Sequence, residues 1–236
     1  MTFDNGHVNS GEASEHFGEE GETTSGYYRE EFRRVARFYD LGLRTAFHLV
    51  GGEFAFRCRI VEMANVRVGS NVLDVSCGTG TLVSLLASCA GPDGHVAGID
   101  LSEQMLDVAR HKVRVNQVEF VQGNAEDIPF GDSTFDRVTM SLAIHEMNRK
   151  GRSNALAQMW RVLKPGGLVV VADMRRPDTG LTKLGMRFVR LAETDTLADM
   201  WQHKLVREID EAGFVDIRRH IAGRGFFEII VAHKRD

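Results

Sequence analysis

The apolar positions of this 236-residue chain change their period along its length, and each change marks an element. From Tyr27 to about Val50, the residues Phe32, Val35, Ala36, Tyr39 and Leu43 recur at three- and four-residue steps. That spacing places them on one face of a helix. A second helix is predicted from Glu53 to Asn65, presenting Phe56, Ile60 and Met63. After Gly69-Ser70 the period shortens. Runs rich in branched and aromatic residues predict strands at 71–75, 95–100, 118–122, 135–141, 167–173, 214–221 and 226–233. Helices near 80–90, 102–115 and 153–163 separate the earlier ones. Apolar strands joined by helices predict a mostly parallel sheet covered on both faces. Lys164-Pro165-Gly166-Gly167 must end the helix before it, because Pro165 disfavours helical backbone at its predecessor. Gly223-Arg224-Gly225 is too short for a helical crossover, so the last two strands form an antiparallel hairpin at the sheet edge. The expected fold class is α/β: a three-layer, doubly wound sheet of about seven strands with an antiparallel last strand.

Composition changes this picture at two places. Residues 1–26 hold six acids (Asp4, Glu12, Glu15, Glu19, Glu20 and Glu22) and no Lys or Arg. Such a segment buries too little apolar surface to offset its ordering entropy, and a disordered acidic tail is expected there. The remaining residues, 27–236, are expected to form one domain, with 27–70 as a helical preamble and 175–200 as a lid insertion. In that insertion Leu181, Leu184, Phe188 and Leu191 share a helical face, beside a basic stripe of Lys183, Arg187 and Arg190. The plain expectation is a lid packed on the domain. The sharper one is a peripheral contact with a lipid surface through 181–191.

A net charge of -4 supplies no bulk attraction for nucleic acid, and none is expected as a partner. Cys58, Cys77 and Cys89 lack the spacing of a disulfide framework or a zinc cluster. With no secretory leader and no bilayer-spanning apolar run, the expected location is cytoplasmic. Nothing in the sequence sets an oligomeric state.

The strongest local signal is Val72-Leu73-Asp74-Val75-Ser76-Cys77-Gly78-Thr79-Gly80, where an apolar strand meets a glycine-rich turn and a helix follows. Lacking a Cβ, Gly78 and Gly80 allow a ligand to approach the backbone closely. A dinucleotide fingerprint would place another glycine at Val83, so the fit to a nicotinamide site is poor. Asp74 would also repel a pyrophosphate, whereas its carboxylate suits a cationic ligand such as a sulfonium amino acid. Asp100 ends the second strand, twenty residues after Gly80, where an acid can accept hydrogen bonds from both ribose hydroxyls. Ser102, followed by Glu103, is the natural N-cap of the next helix.

The stretch from Asp74 to Gly80 resembles the first motif of class I S-adenosylmethionine methyltransferases, and four further stretches agree in order. Gly98-Ile99-Asp100-Leu101-Ser102, with Met105-Leu106, resembles that superfamily's second strand and following helix. Gly123-Asn124-Ala125-Glu126-Asp127-Ile128-Pro129-Phe130 resembles its adenine loop. Phe135-Asp136-Arg137-Val138 and the run from Arg161 to Gly167 resemble its fourth strand and the approach to its fifth. Phe38-Tyr39-Asp40 and Ala212-Gly213-Phe214 are nearest to the ubiquinone/menaquinone C-methyltransferase family. Three departures stand out, one being Asn124 in place of a commoner Asp, its amide oxygen still able to accept from the adenine amino group. Ser76 occupies a position where many members have glycine, and is expected to keep ordinary dihedrals. The stretch from Leu142 to Arg149 lacks the Arg-Asn pair of the quinone enzymes.

The resemblance implies a Rossmann-like fold and an enzyme that uses S-adenosylmethionine, leaving S-adenosylhomocysteine, to methylate a small-molecule acceptor that is hydrophobic and quinone-like; the alternative enzyme reading is a phospholipid-headgroup or other amine N-methyltransferase. It implies cofactor contacts from Tyr39, Asp74, Ser76, Gly78, Gly80, Asp100, Leu101, Asn124, Ala125, Glu126 and Ser141. A module that binds the cofactor without catalysis is the alternative from another class. His145 follows the fourth strand by four residues and is the candidate general base, with a hydrogen-bonded wall residue as the plain alternative. His145-Glu146-Met147-Asn148-Arg149 glances at a zinc-protease helix, but Arg149 replaces the second histidine, and no metal is expected.

Overall fold

The computed structural model describes residue 47, residues 51–178 and residues 195–236. The expected acidic tail, Tyr39 and the basic stripe of 181–191 therefore lie outside the described residues. Helix α1 (Glu53–Ala64) precedes β1 (Asn71–Val75), α2 (Thr81–Ala90), β2 (His95–Asp100), α3 (Glu103–Lys112), β3 (Val118–Gln122) and β4 (Phe135–Ser141). A 3₁₀ turn (Ile144–Glu146) leads to α4 (Arg149–Val162) and β5 (Leu163–Met174). After them come α5 (Asp195–His203), α6 (Leu205–Glu211), β6 (Phe214–Ala222) and β7 (Phe227–Lys234).

One sheet holds all seven strands in the order β3-β2-β1-β4-β5-β7-β6. Strands β1 to β5 pair in parallel, while β7 runs antiparallel between β5 and β6. Side-chain alternation divides the core in two. Leu73, Val138, Met140, Val169, Val171 and Ile230 face α4, α5 and α6. Val72, Val170, Ala172 and Ile229 face α1 and α2. Burying one such branched side chain contributes about 1.5–3 kcal/mol, so the two clusters supply the main driving force for the layering. Among the described residues, no helix is long and apolar enough to cross a membrane.

Three boundaries differ from the pattern reading by more than one residue, each for a local reason. Helix α4 begins at Arg149 rather than 153, because Asn148 caps it by accepting from the Gly151 N–H at 2.8 Å. Helix α3 stops at Lys112 rather than 115, where β-branched Val113 turns extended. Strand β5 begins at Leu163, before Pro165 rather than after it: Leu163 pairs with Phe135, and the register slips before Arg137 meets Leu168.

Helix α1 lies antiparallel to the strands. Its last carbonyls, on Ala64 and Asn65, accept from Arg137 Nε of β4 at 2.8 and 3.3 Å. Its first turn thus reaches the carboxyl edge of the sheet. There Phe47 stacks on Phe227 with ring centroids 4.7 Å apart, and Phe56 tilts against the same ring at 4.7 Å.

Candidate active site

From β1 the chain crosses to β2 on one side, and the later β4 lies on the other. At such a switch point the connections diverge and leave a crevice at the carboxyl ends of the strands. Two acids, a glycine turn and the loop after β3 meet there.

The first is Asp74, which is 1% exposed and lies beside Thr139, its register partner on β4. Thr139 Oγ1 donates to Asp74 Oδ1 at 2.7 Å. Burial pushes the Asp74 carboxyl up to about 7, against the Thr139 hydrogen bond and the nearby Arg57 charge, with Asp100 adding to the rise. Arg57 is buried on α1, where its Nε donates to Glu53 Oε1 at 2.7 Å.

The glycine turn comes next. Gly78 (φ +54°) and Gly80 (φ +73°) are both left-handed. A Cβ on Gly80 would sit 3.0 Å from Ala109 Cβ and Phe120 Cζ, so that glycine lets α3 and β3 close against the turn. A Cβ on Gly78 would meet nothing within 4 Å, leaving open space above the bend. Ser76 also takes a left-handed conformation (φ +57°), contrary to the ordinary dihedrals expected of it. A non-glycine residue there costs roughly 1–2 kcal/mol, and such strain gathers where a loop is shaped for a ligand.

Third is Asp100, whose carboxylate bridges two loops. Oδ2 accepts from Gly78 N–H at 2.8 Å and Oδ1 from Ser102 N–H at 2.9 Å. Burial raises its pKa, and the Ser102 and Gly78 amides oppose that rise. Each carboxylate oxygen keeps a second lone pair, enough to accept from a vicinal diol. Ser102 Oγ caps α3 by accepting from Met105 N–H at 3.3 Å. Leu101, beside Asp100, exposes its side chain.

The loop after β3 closes this end, its Gly123 N–H donating to the Asp100 carbonyl at 3.1 Å. Asn124 Oδ1 accepts from Glu126 N–H at 3.0 Å. Ala125 packs its methyl into the core, so only its backbone can face a ligand. The Glu126 carboxylate points to α4, with Oε2 accepting from Asn154 Nδ2 at 2.9 Å.

At the end of β4, Ser141 lies two residues beyond Thr139 on the same sheet face, and Leu142 takes a left-handed conformation (φ +55°), turning the chain toward His145. His145 Nδ1 lies 2.7 Å from Oδ1 of Asp173, whose side chain is fully buried at the carboxyl end of β5. The His145 backbone N–H reaches Asp173 Oδ2 at 3.3 Å, and Nε2 lies 4.0 Å from Glu146 Oε1. The Nδ1–Oδ1 contact is a charge-pair approach rather than an aligned hydrogen bond, and a carboxylate on that side of the imidazole leaves Nε2 as the atom able to take a proton. Glu228, opposite Asp173 on β7, pairs with Arg219 Nε at 2.5 Å. Among the described residues, no cluster of three or more His, Cys, Asp or Glu is placed to hold a metal ion.

The structure thus gathers Asp74, Ser76, Gly78, Gly80, Asp100 and Leu101 at one crevice. Ser141 and His145 lie at the adjoining strand ends. Asp173, Thr139 and Arg57 were not anticipated. Asp173 carried the same signal as Asp100, an acid ending an apolar run at the carboxyl edge. Arg57 carried none, since Glu53 and Arg57 four residues apart read as a solvated helical pair.

The donor set fits a sulfonium nucleoside: a buried acid at one end, a side-chain-free bend in the middle, and a second acid placed for a sugar. Comparison with known proteins agrees. The model of the ubiE/COQ5 methyltransferase family matches residues 23–189. An uncharacterized methyltransferase of Synechocystis sp. is 36% identical over 195 residues, covering 82% of this chain and 90% of that one. The demethylmenaquinone methyltransferase of Listeria welshimeri is 40% identical over 126 residues, 52% of each chain, so the match spans about half of that relative. Among solved structures, a SAM-dependent methyltransferase of Aquifex aeolicus has the same fold, with TM-score 0.61, 21% identity and coverage of 75% of this chain and 88% of that one. So does Haemonchus contortus phosphoethanolamine N-methyltransferase 2 with S-adenosyl-L-methionine, at TM-score 0.66, 18% identity and coverage of 87% and 60%.

Proposed function

Since the chain belongs to the ubiE/COQ5 methyltransferase family and is an S-adenosylmethionine-dependent methyltransferase, we propose that its acceptor is a small, apolar, hydroxyl-bearing ring of the quinol type. The observation that carries this reading is the His145–Asp173 pair at the carboxyl edge beside β4. An amine attacks with its own lone pair once neutral, whereas a hydroxyl or a ring carbon gains from a positioned base. Named relatives that methylate demethylmenaquinone support the same class.

Bound S-adenosylmethionine supplies an electrophilic methyl group on a positively charged sulfur. Asp74 receives the cofactor's ammonium group and Asp100 its ribose hydroxyls. The bend at Gly78 lets the nucleoside lie against the backbone, with Ser76, Gly80, Leu101, Asn124, the Ala125 and Glu126 backbone and Ser141 completing the surround. His145 Nε2 takes the acceptor's hydroxyl proton, and the electron pair released forms the new bond to the methyl carbon. The pair of the breaking carbon–sulfur bond stays on sulfur. For a ring-carbon acceptor, loss of the ring proton then restores aromaticity. Holding the partners in line supplies the remainder of the rate.

Incubating the protein with S-adenosylmethionine and a short-chain demethylated naphthoquinol should yield S-adenosylhomocysteine and the methylated quinol by mass spectrometry. Product from phosphoethanolamine or simple amines, with none from the quinol, would overturn this acceptor class.

A pH dependence follows from Asp74. Its folded pKa, about 7, lies above the unfolded 3.8, so across that window the folded chain holds a proton that the unfolded chain has released. The ligand-free fold therefore loses stability as pH rises between those values. The ammonium ligand needs the ionised form, so affinity for S-adenosylhomocysteine should rise toward pH 7 by at most about tenfold per unit. Calorimetric titration at several pH values checks this, and Asp74→Asn should flatten the dependence.

A further inference from the structure

We propose that Arg57 holds the carboxylate of the cofactor's amino-acid end, so that Arg57 and Asp74 together read that end as a zwitterion. The proposal rests on the assignment of Asp74 to the ammonium group.

Placement comes first. Helix α1 points its amino end at the carboxyl edge, because its carboxyl end is pinned by Arg137 near the start of β4 and its first turns pack on Phe227 at the end of β7 nearest that edge. Arg57 lies one turn into that helix, on its buried face with Phe56 and Ile60, which packs on the side of the sheet that Val72 occupies; by strand alternation Asp74 and its partner Thr139 project to that side too. It is 8% exposed, and its charge is felt at the Asp74 carboxyl.

Its bonding is incomplete for so buried a cation. Nε is taken by Glu53 Oε1 at 2.7 Å, but among the described residues neither terminal nitrogen of Arg57 has a hydrogen-bond partner. A guanidinium offers five N–H donors in a planar fork matched to a carboxylate. Glu53 occupies one edge and orients the fork, and the terminal nitrogens remain for a second acid.

Charge is the second consideration. An α-amino acid carries its ammonium and carboxylate on one carbon, so a site that takes the first with an acid needs a cation beside it for the second. Arg57 is the cation whose field reaches Asp74. Without it, the ligand's carboxylate would enter a pocket already bearing Asp74 and Asp100, and like charges there cost affinity.

Two ligands that differ only in the carboxylate test the proposal: S-adenosylmethionine and its decarboxylated form, titrated calorimetrically against the full chain. The wild type should prefer the carboxylate-bearing ligand by about 10- to 100-fold, the worth of a charge-assisted hydrogen bond. Arg57→Met should abolish the preference, over and above the loss common to both ligands that follows when Asp74 protonates more readily without the cation, and Arg57→Lys should restore part of it. Equal affinity of the wild type for the two ligands overturns the proposal, and that arm needs no variant to fold. An Arg57→Met protein that keeps the full preference, with its melting temperature unchanged, overturns it too. Failure to bind either ligand would refute the cofactor site itself, a separate outcome.

Discussion

His145→Ala is expected to lower kcat for a quinol acceptor by about 10²–10⁴, the usual worth of a positioned base, while affinity for S-adenosylhomocysteine stays within about twofold. The split follows from position. His145 sits on the 3₁₀ turn beyond β4, with its Nδ1 beside Asp173 of β5. In the variant, deprotonation falls to solvent, so the residual rate should climb with pH until the acceptor ionises by itself. Asp173→Asn tests the orienting role separately. An amide can hold Nδ1 with its own N–H and so favour the wrong tautomer, which should cost turnover without moving cofactor affinity. Unchanged turnover in His145→Ala would remove it as the base and return it to a wall residue.

Arg152→Met is expected to destabilise the fold by about 3–5 kcal/mol, the cost of stripping one partner from a buried ion pair. Arg152 is fully buried on α4. Its Nε and Nη2 meet Glu208 of α6 at 2.7 Å each, Nη2 also meets Asp199 of α5 at 2.7 Å, and Nη1 donates to the Met147 carbonyl at 2.9 Å. One side chain thereby fastens α5 and α6 to α4 and closes the turn that carries His145. Without it, the buried Glu208 carboxylate has lost the cation that offset its desolvation. For a chain of this size the loss corresponds to a melting temperature lower by roughly 6–20 °C. Arg152→Met combined with Glu208→Leu should recover part of it, since apolar replacement of a whole buried pair is often near neutral. A melting temperature within a degree or two of wild type in the single variant would contradict this account of how the helices are fastened.

Much of this architecture was written in local pattern. The seven strands and the glycine turn follow from apolar runs and from residues that permit unusual backbone. What stayed hidden depended on partners far along the chain. The burial of Glu53 and Arg57 requires α1 to be fixed by Arg137 and Phe227, 73 and 171 residues beyond Ala64 and Phe56. Asp173 becomes notable only once β4 and β5 lie side by side and bring His145 to it. The early start of α4 was legible in principle, since Asn148 is a favoured cap, but the apolar period begins only further in. Ser76 misled in the other direction: its identity argued for ordinary backbone, and the turn forced it left-handed.

The account stands on a sulfonium nucleoside lodging between Asp74 and Asp100 over the bend at Gly78. Calorimetric titration of the full chain with S-adenosylhomocysteine at neutral pH measures this directly. Saturable binding at one site per chain, weakened by Asp100→Asn in a protein that still melts cooperatively, is the predicted result. A folded wild-type protein giving no saturable heat would contradict it.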